Sequence, residues 1–160
     1  MHSHDHCCGH DHCKHHHNHS HNHVEEALEI LKEAGYKHTN KRQRLVEILN
    51  DANRYLSAKQ VQELVAPEFP QLSYDTIYRN LYTFVQLNIL EETELNGEKL
   101  FRFRCQTHGH HHHFICEKCG STKEIDMCPM DFFQDQLEGC EIHSHRFEIF
   151  GLCEKCTTKA

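Results

Sequence analysis

The chain has 160 residues, room for one ordinary domain or two small ones. Its formal charge of −7 gives nucleic-acid binding no support from bulk electrostatics. It shows neither an apolar run of membrane-spanning length nor a secretion-type leader, so a cytoplasmic protein without a membrane partner is expected.

The unusual content is 10 Cys and 19 His. In a reducing compartment, paired cysteines point to metal ligands before disulfides. Residues 1–23 hold eleven His together with Cys7, Cys8 and Cys13. Almost nothing there can build a core, so the segment reads as a disordered, metal-affine tail that binds zinc loosely.

Residues 24–104 read as a helical unit that ends in a hairpin. Val24, Ala27, Leu28 and Leu31 recur at helical spacing and Gly35 supplies a stop. Thr39 can cap a second helix carrying Leu45, Val46, Ile48 and Leu49. Ser57 with Gln60 forms a capping box ahead of Val61, Leu64 and Val65. Pro67 and Pro70 force a loop. Ser73 then caps a longer helix with Ile77, Leu81, Phe84 and Val85 on its buried side, and Asn88 ends it. Asn96-Gly97, between Glu-Thr-Glu-Leu and Glu-Lys-Leu-Phe-Arg-Phe-Arg, predicts a tight hairpin, because both turn residues must take positive φ. In residues 105–160, strands are predicted near 112–116, 121–126 and 142–151, with a helix near 131–138.

Helix, short helix, Pro-bounded loop, longer helix and hairpin is the order of a winged helix-turn-helix. The helix after Ser73 would lead into the major groove with Tyr74, Asp75, Thr76, Tyr78, Arg79 and Asn80, and the hairpin would be the wing. Arg79 and Asn80 can bond base edges or phosphates, and Tyr78 can reach a phosphate. Between Gly35 and Val46 stand Lys37, Lys41, Arg42 and Arg44 with no acid among them, a local basic patch suited to phosphate. From these charges alone a solvated helical face is the plainer explanation; the order of elements favours DNA.

Cys116-Glu-Lys-Cys119 and Cys153-Glu-Lys-Cys156 are two matched Cys-x-x-Cys pairs. Together they offer four thiolates, the soft tetrahedral set of a closed structural zinc site. Cys105 is followed by His108 and by His110, His111, His112 and His113. On a strand, alternate side chains point to opposite faces. His111 and His113 can thus join Cys105 and a hairpin carboxylate, while His110 and His112 serve a second site. A metal at the junction of the two parts would fix their relative orientation. In a dimer it would also fix the spacing of the reading helices.

Ser73-Tyr-Asp-Thr-Ile-Tyr-Arg-Asn-Leu81, the run His110–His113 and the two Cys pairs resemble the ferric uptake regulator family over about residues 24–157. Gly-Glu-Lys-Leu-Phe-Arg-Phe and Cys-Pro-Met-Asp at 128–131 make the likeness greatest to the zinc uptake regulators of Gram-positive bacteria. The resemblance implies an α+β chain with an N-terminal winged helix-turn-helix and a small α/β dimerisation domain. It implies a homodimer on operator DNA, with Lys41, Arg42, Tyr74, Thr76, Tyr78, Arg79 and Asn80 at the interface. It implies structural zinc on Cys116, Cys119, Cys153 and Cys156, and sensory zinc on Glu91, Cys105, His111 and His113. A third site falls on His110, His112, Asp131 and His145. Two to three zinc ions per subunit follow.

Glu92 beside Glu91 leaves the carboxylate ligand open by one residue. Cys128 and Cys140 match no family site and are expected to be buried small hydrophobes. Cys105 favours zinc over ferrous iron or manganese, because a thiolate is a soft ligand. The expectation is a zinc-dependent repressor of zinc-homeostasis genes, without enzymatic activity or a small-molecule substrate. The alternatives are the same fold sensing iron, manganese or peroxide, and a zinc buffer or chaperone led by the tail.

Overall fold

The computed structural model describes residues 20–104 and 111–158. Residues 1–19, most of the expected tail, therefore lie outside the described residues. Helix α1 covers Ser20–Glu33, so it begins inside the segment expected to be tail. Its end follows from Gly35 at φ +87: Tyr36 N–H donates to Leu31 O and Gly35 N–H to Lys32 O. This pairing satisfies the last carbonyls of the helix. Thr39 caps α2 (Asn40–Ala52) by accepting from Arg42 N–H. Ser57 and Gln60 form the reciprocal capping box of α3 (Ala58–Val65). Ser73 caps α4 (Tyr74–Gln86), which closes at Asn88 in the left-handed region, φ 58.

The hairpin is β2 (Leu90–Leu95) and β3 (Glu98–Phe103), turned by Asn96 and Gly97 at φ 52 and 80. A two-residue strand, β1 (Leu56–Ser57), adds to its other edge, with Leu56 opposite Phe101. The sequence gives no hint of this strand, because two residues have no period and their partner lies far along the chain. Leu45, Leu49, Leu56, Val61, Ile77, Leu81, Phe84 and Phe101 form one buried core for these elements.

The second part is a sheet of order β5-β4-β6, with β4 (His112–Cys116) in the middle. It pairs antiparallel with β5 (Thr122–Ile125) and parallel with β6 (Glu148–Gly151). The expected strand at 142–151 is thus only its last four residues; 141–147 has no regular structure. The expected helix at 131–138 is one α-turn, α5 (Met130–Phe133), followed by a 3-10 turn (Gln134–Gln136). Both shortfalls have one cause. Phe132, Phe133, Leu137 and Ile142 stay exposed, and an amphipathic segment without a surface to pack on gains little from regular structure. A last turn, α6, spans Glu154–Thr157.

Among the described residues of the second part, Ile115 is the only fully buried apolar side chain beside the two cysteines Cys116 and Cys153, and it packs with Tyr55 and Leu100 of the first part. The two parts are joined backbone to backbone: Tyr55 N–H donates to Gly120 O at 3.1 Å, and Arg54 donates to Cys119 O at 2.9 Å. Gly120 has φ +71, and a Cβ there would come within 2.4 Å of Tyr55 O. Glycine is required for that approach.

Candidate metal centres and nucleic-acid interface

The structure brings together the four thiols expected to form one site. The Sγ atoms of Cys116, Cys119, Cys153 and Cys156 all lie within 4.8 Å of one another. Cys119 and Cys153 are 3.7 Å apart, far beyond a disulfide and suited to two ligands of one ion. The first pair closes the turn after β4 and the second opens α6, so the β4–β6 pairing brings the knuckles together. Burial pushes the Cys116 thiol up, but the backbone N–H groups of Cys153, Cys119 and Lys118 outweigh it and bring it down to about 6. Cys156, hydrogen-bonded to Cys153 and crowded by the other thiols, is pushed up to about 12. Four such sulfurs ionise together only around a cation, and the donor set fits zinc.

Of the second expected cluster, Glu91, His111 and His113 line a cleft of about 430 Å³ between the two parts, together with Glu92, His112, His145 and Glu148; among the described residues their ligand atoms do not gather within 4.8 Å as the four thiols do. Alternation along β2 puts Glu91 on the same face as Thr93, whose hydroxyl donates to Glu148 Oε2 at 2.9 Å. Glu91 accepts from the Tyr55 hydroxyl at 3.3 Å and lies 3.5 Å from Arg102. Burial pushes the Tyr55 hydroxyl up, and Glu91 and Glu148 add to it. Glu92 instead pairs with Lys99 at 3.1 Å. The buried Arg102 guanidinium donates to His113 Nε2 at 2.9 Å, which requires a neutral imidazole with Nε2 as acceptor. Burial and then the Arg102 charge lower the His113 pKa, in agreement. Cys105 and His110 lie outside the described residues, so the thiolate of the expected sensory set is not placed.

His112 lines the same cleft, next to His145. Its ring is 5.2 Å from that of His145, and its ligand atom lies within 4.8 Å of those of His145 and Cys128. Cys128 Sγ is 3.3 Å from His145 Nε2. Two expectations are corrected here. Cys128 is half-buried and in contact with an imidazole, and Cys140 is exposed; neither is a buried small hydrophobe. Cys128 escaped sequence reasoning because its neighbours are a strand residue and a loop residue far away in the chain. Asp131 falls within α5; its side chain is outside the described residues. Arg102 was also missed, since on β3 it reads as an ordinary alternating charge.

At the winged helix, Tyr74, Thr76 and Arg79 are exposed along the N-terminal half of α4. Lys41 is exposed at the start of α2. Arg42 donates to Asn80 Oδ1 at 3.1 Å and to Lys37 O, linking α2 to α4, and stacks over Tyr36. Tyr78 packs edge-on against Phe101, which ties it partly to the core. Arg44 does not belong to a net positive patch: Glu68 at 2.6 Å and Glu47 at 3.3 Å neutralise it.

Comparison with known proteins places the chain in a family and a fold. The family model described as "Ferric uptake regulator family" matches residues 33–150. The ferric uptake regulation protein of Staphylococcus aureus (strain Mu50 / ATCC 700699) is 48% identical over 133 residues, covering 83% of this chain and 97% of that protein. The protein of the same name from Staphylococcus epidermidis (strain ATCC 12228) is 46% identical over 137 residues, covering 86% and 98%. Among solved structures, the Helicobacter pylori ferric uptake regulator matches with TM-score 0.67 at 20% identity, over 86% of this chain and 93% of that one. A zinc uptake regulator complexed with zinc and DNA matches with TM-score 0.64 at 20% identity, over 88% and 96%. At that identity the two structures establish the shared fold.

Proposed function

The chain belongs to the ferric uptake regulator family of metal-responsive transcription regulators, which are not enzymes; from that premise we propose that it is a zinc-responsive repressor that binds operator DNA as a zinc-loaded homodimer and controls zinc-homeostasis genes. The observation that carries this reading is the cleft between the winged helix and the small sheet. It is lined by Glu91 from the first part and by His111 and His113 from the second, the two histidines following the stretch that contains Cys105. A cation held there bonds to both parts at once, so its binding energy selects one orientation of α4 relative to the dimerisation domain.

In this reading Cys116, Cys119, Cys153 and Cys156 hold structural zinc. Glu91, Cys105, His111 and His113 hold the sensory ion. His110, His112, Asp131 and His145 frame a third position. The thiolate of Cys105 is what directs the sensory site to zinc, since a soft ligand disfavours manganese and ferrous iron. Lys41, Arg79 and the N-terminal residues of α4 meet the duplex. The homodimer draws support from exposed apolar side chains concentrated in the second part, among them Phe132, Phe147, Ile149, Phe150 and Leu152. One copy leaves them in water, and a symmetric partner buries them.

A second reading keeps everything but the signal. Staphylococcal relatives that match across nearly their whole length are named ferric uptake regulation proteins, which favours iron. Footprinting of an inverted-repeat operator with zinc, ferrous iron and manganese titrated separately decides between them. Protection at the lowest free concentration of zinc, erased by a chelator, is expected. Protection that needs iron and ignores zinc would overturn the zinc reading and leave the fold and family intact. No helix among the described residues is long and apolar enough to cross a membrane.

A further inference from the structure

We propose that Cys128 is a thiolate ligand that, with His112 and His145, makes the position beside β4 a site for a soft divalent cation. The inference deepens the third position of the reading above and needs neither the sensory ligands nor DNA. The three residues come from different places: His112 from the first residue of β4, Cys128 from the loop before α5, and His145 from the irregular stretch 141–147. Their ligand atoms nevertheless lie within 4.8 Å of one another, the spread expected of donors that share one ion. Cys128 Sγ faces His145 Nε2 at 3.3 Å, and Phe147 closes on His112 edge-to-face at 5.7 Å, which gives the group an apolar wall.

The chemistry of this donor set differs from one of imidazole and carboxylate alone. A thiolate with two imidazoles suits zinc, whereas oxygen donors suit manganese and magnesium. A fourth position remains for water. The site also has a structural consequence. The stretch 141–147 makes no strand, and it carries Ile142 and Phe147 on the exposed apolar surface. An ion bonded to His145, Cys128 and His112 anchors that stretch to the central strand of the sheet. The anchor thereby shapes the surface offered to a second copy.

Alkylation of the full chain by iodoacetamide, read at each cysteine by mass spectrometry with and without added zinc, tests this without DNA. The nucleophile toward iodoacetamide is the free thiolate, so a sulfur held by an ion reacts only in the unbound fraction, about one tenth when roughly nine-tenths of the sites are filled. Zinc is expected to slow alkylation of Cys128 about tenfold or more, to leave the exposed Cys140 unchanged, and to lose its effect on Cys128 in His145→Ala. Equal rates at Cys128 with and without zinc would overturn the proposal, as would full protection in His145→Ala. A second arm uses cobalt after the four-cysteine site is filled with zinc. In Cys105→Ser, the near-ultraviolet thiolate-to-cobalt band is expected to persist and to weaken when Cys128→Ser is added. No difference between these two variants would contradict the assignment. A chain that regulates with iron, or binds no operator, leaves both measurements unaffected, so the two readings fail separately.

Discussion

Arg102 Nη1 donates to His113 Nε2 at 2.9 Å while lying 3.5 Å from Glu91. One guanidinium thus engages two of the residues proposed to hold the sensory ion, one from each part of the chain. A cation that takes the same nitrogen and the same carboxylate has to displace it. A charge-assisted hydrogen bond contributes about 1.5–3 kcal/mol. Arg102→Met is therefore expected to tighten zinc binding at this site roughly tenfold and to loosen the joint between the two parts in metal-free protein. Competition against a zinc chelator measures the first effect, and limited proteolysis between residues 104 and 111 the second. Weaker zinc binding in the variant would show that Arg102 supports the site instead.

The protonation of His113 gives a pH dependence with a fixed sign. Burial and the Arg102 charge lower its pKa below the ordinary value of about 6.5. Between the two values the unfolded chain binds a proton that the folded chain refuses. Its contribution to stability is therefore full above the ordinary value and is lost as pH falls below it. Melting temperatures of wild type and His113→Gln from about pH 7.5 to 5 are expected to converge toward the acid end. A difference that stays constant over that range would contradict the neutral, accepting imidazole.

The small second part gives a physical reason for the structural zinc proposed there. Its sheet has three strands, yet Ile115 is its only fully buried aliphatic residue among the described residues. A core of that size does not offset the entropy of ordering the chain. Zinc bound to four cysteines supplies about 10–16 kcal/mol in small domains of this kind. Cys116→Ser is expected to remove one zinc per chain and to unfold residues 111–158 while α1–α4 persist. Hydrogen exchange resolved by segment distinguishes this from global unfolding. Retained protection in β4 without zinc would contradict it.

The local elements of the first part were legible in the sequence because their determinants are local. Thr39, Ser57, Gln60 and Ser73 each bond a backbone group within three residues, and Asn96-Gly97 sets its own turn. The four-cysteine cluster was legible for a related reason: each pair is a self-contained knuckle. What depended on distant partners was not. The β1–β3 pairing joins Leu56 to Phe101, Cys128 meets His145 across a loop, and Arg102 meets His113 across the cleft. The stretches 131–138 and 142–147 were overread. Their apolar patterns imply burial, but Phe132 and Ile142 find no surface to cover them within one copy. Arg44 was misread because Glu68, which neutralises it, follows 24 residues later.

Arg79 and Lys41 are exposed on the proposed duplex face and test the DNA interface in different ways. Lys41→Ala is expected to weaken operator binding about equally for all sequences and to reduce the salt slope by about 0.9. Arg79→Ala is expected to cost about 1–3 kcal/mol and to relax discrimination at the base it reads. Fluorescence anisotropy at several salt concentrations, on operator and scrambled duplexes, measures both. Unchanged affinity in both variants would remove α2 and α4 from the interface.

The central claim is that filling the cleft, and not merely the four-cysteine site, controls the grip on DNA. The most direct measurement is operator affinity against free zinc, with bound metal counted at every step, for wild type and Cys105→Ser. The account predicts weak binding while only the first ion per chain is present and a sharp rise as the next enters, with that rise missing in Cys105→Ser. Equal affinity before and after the second ion binds would contradict it.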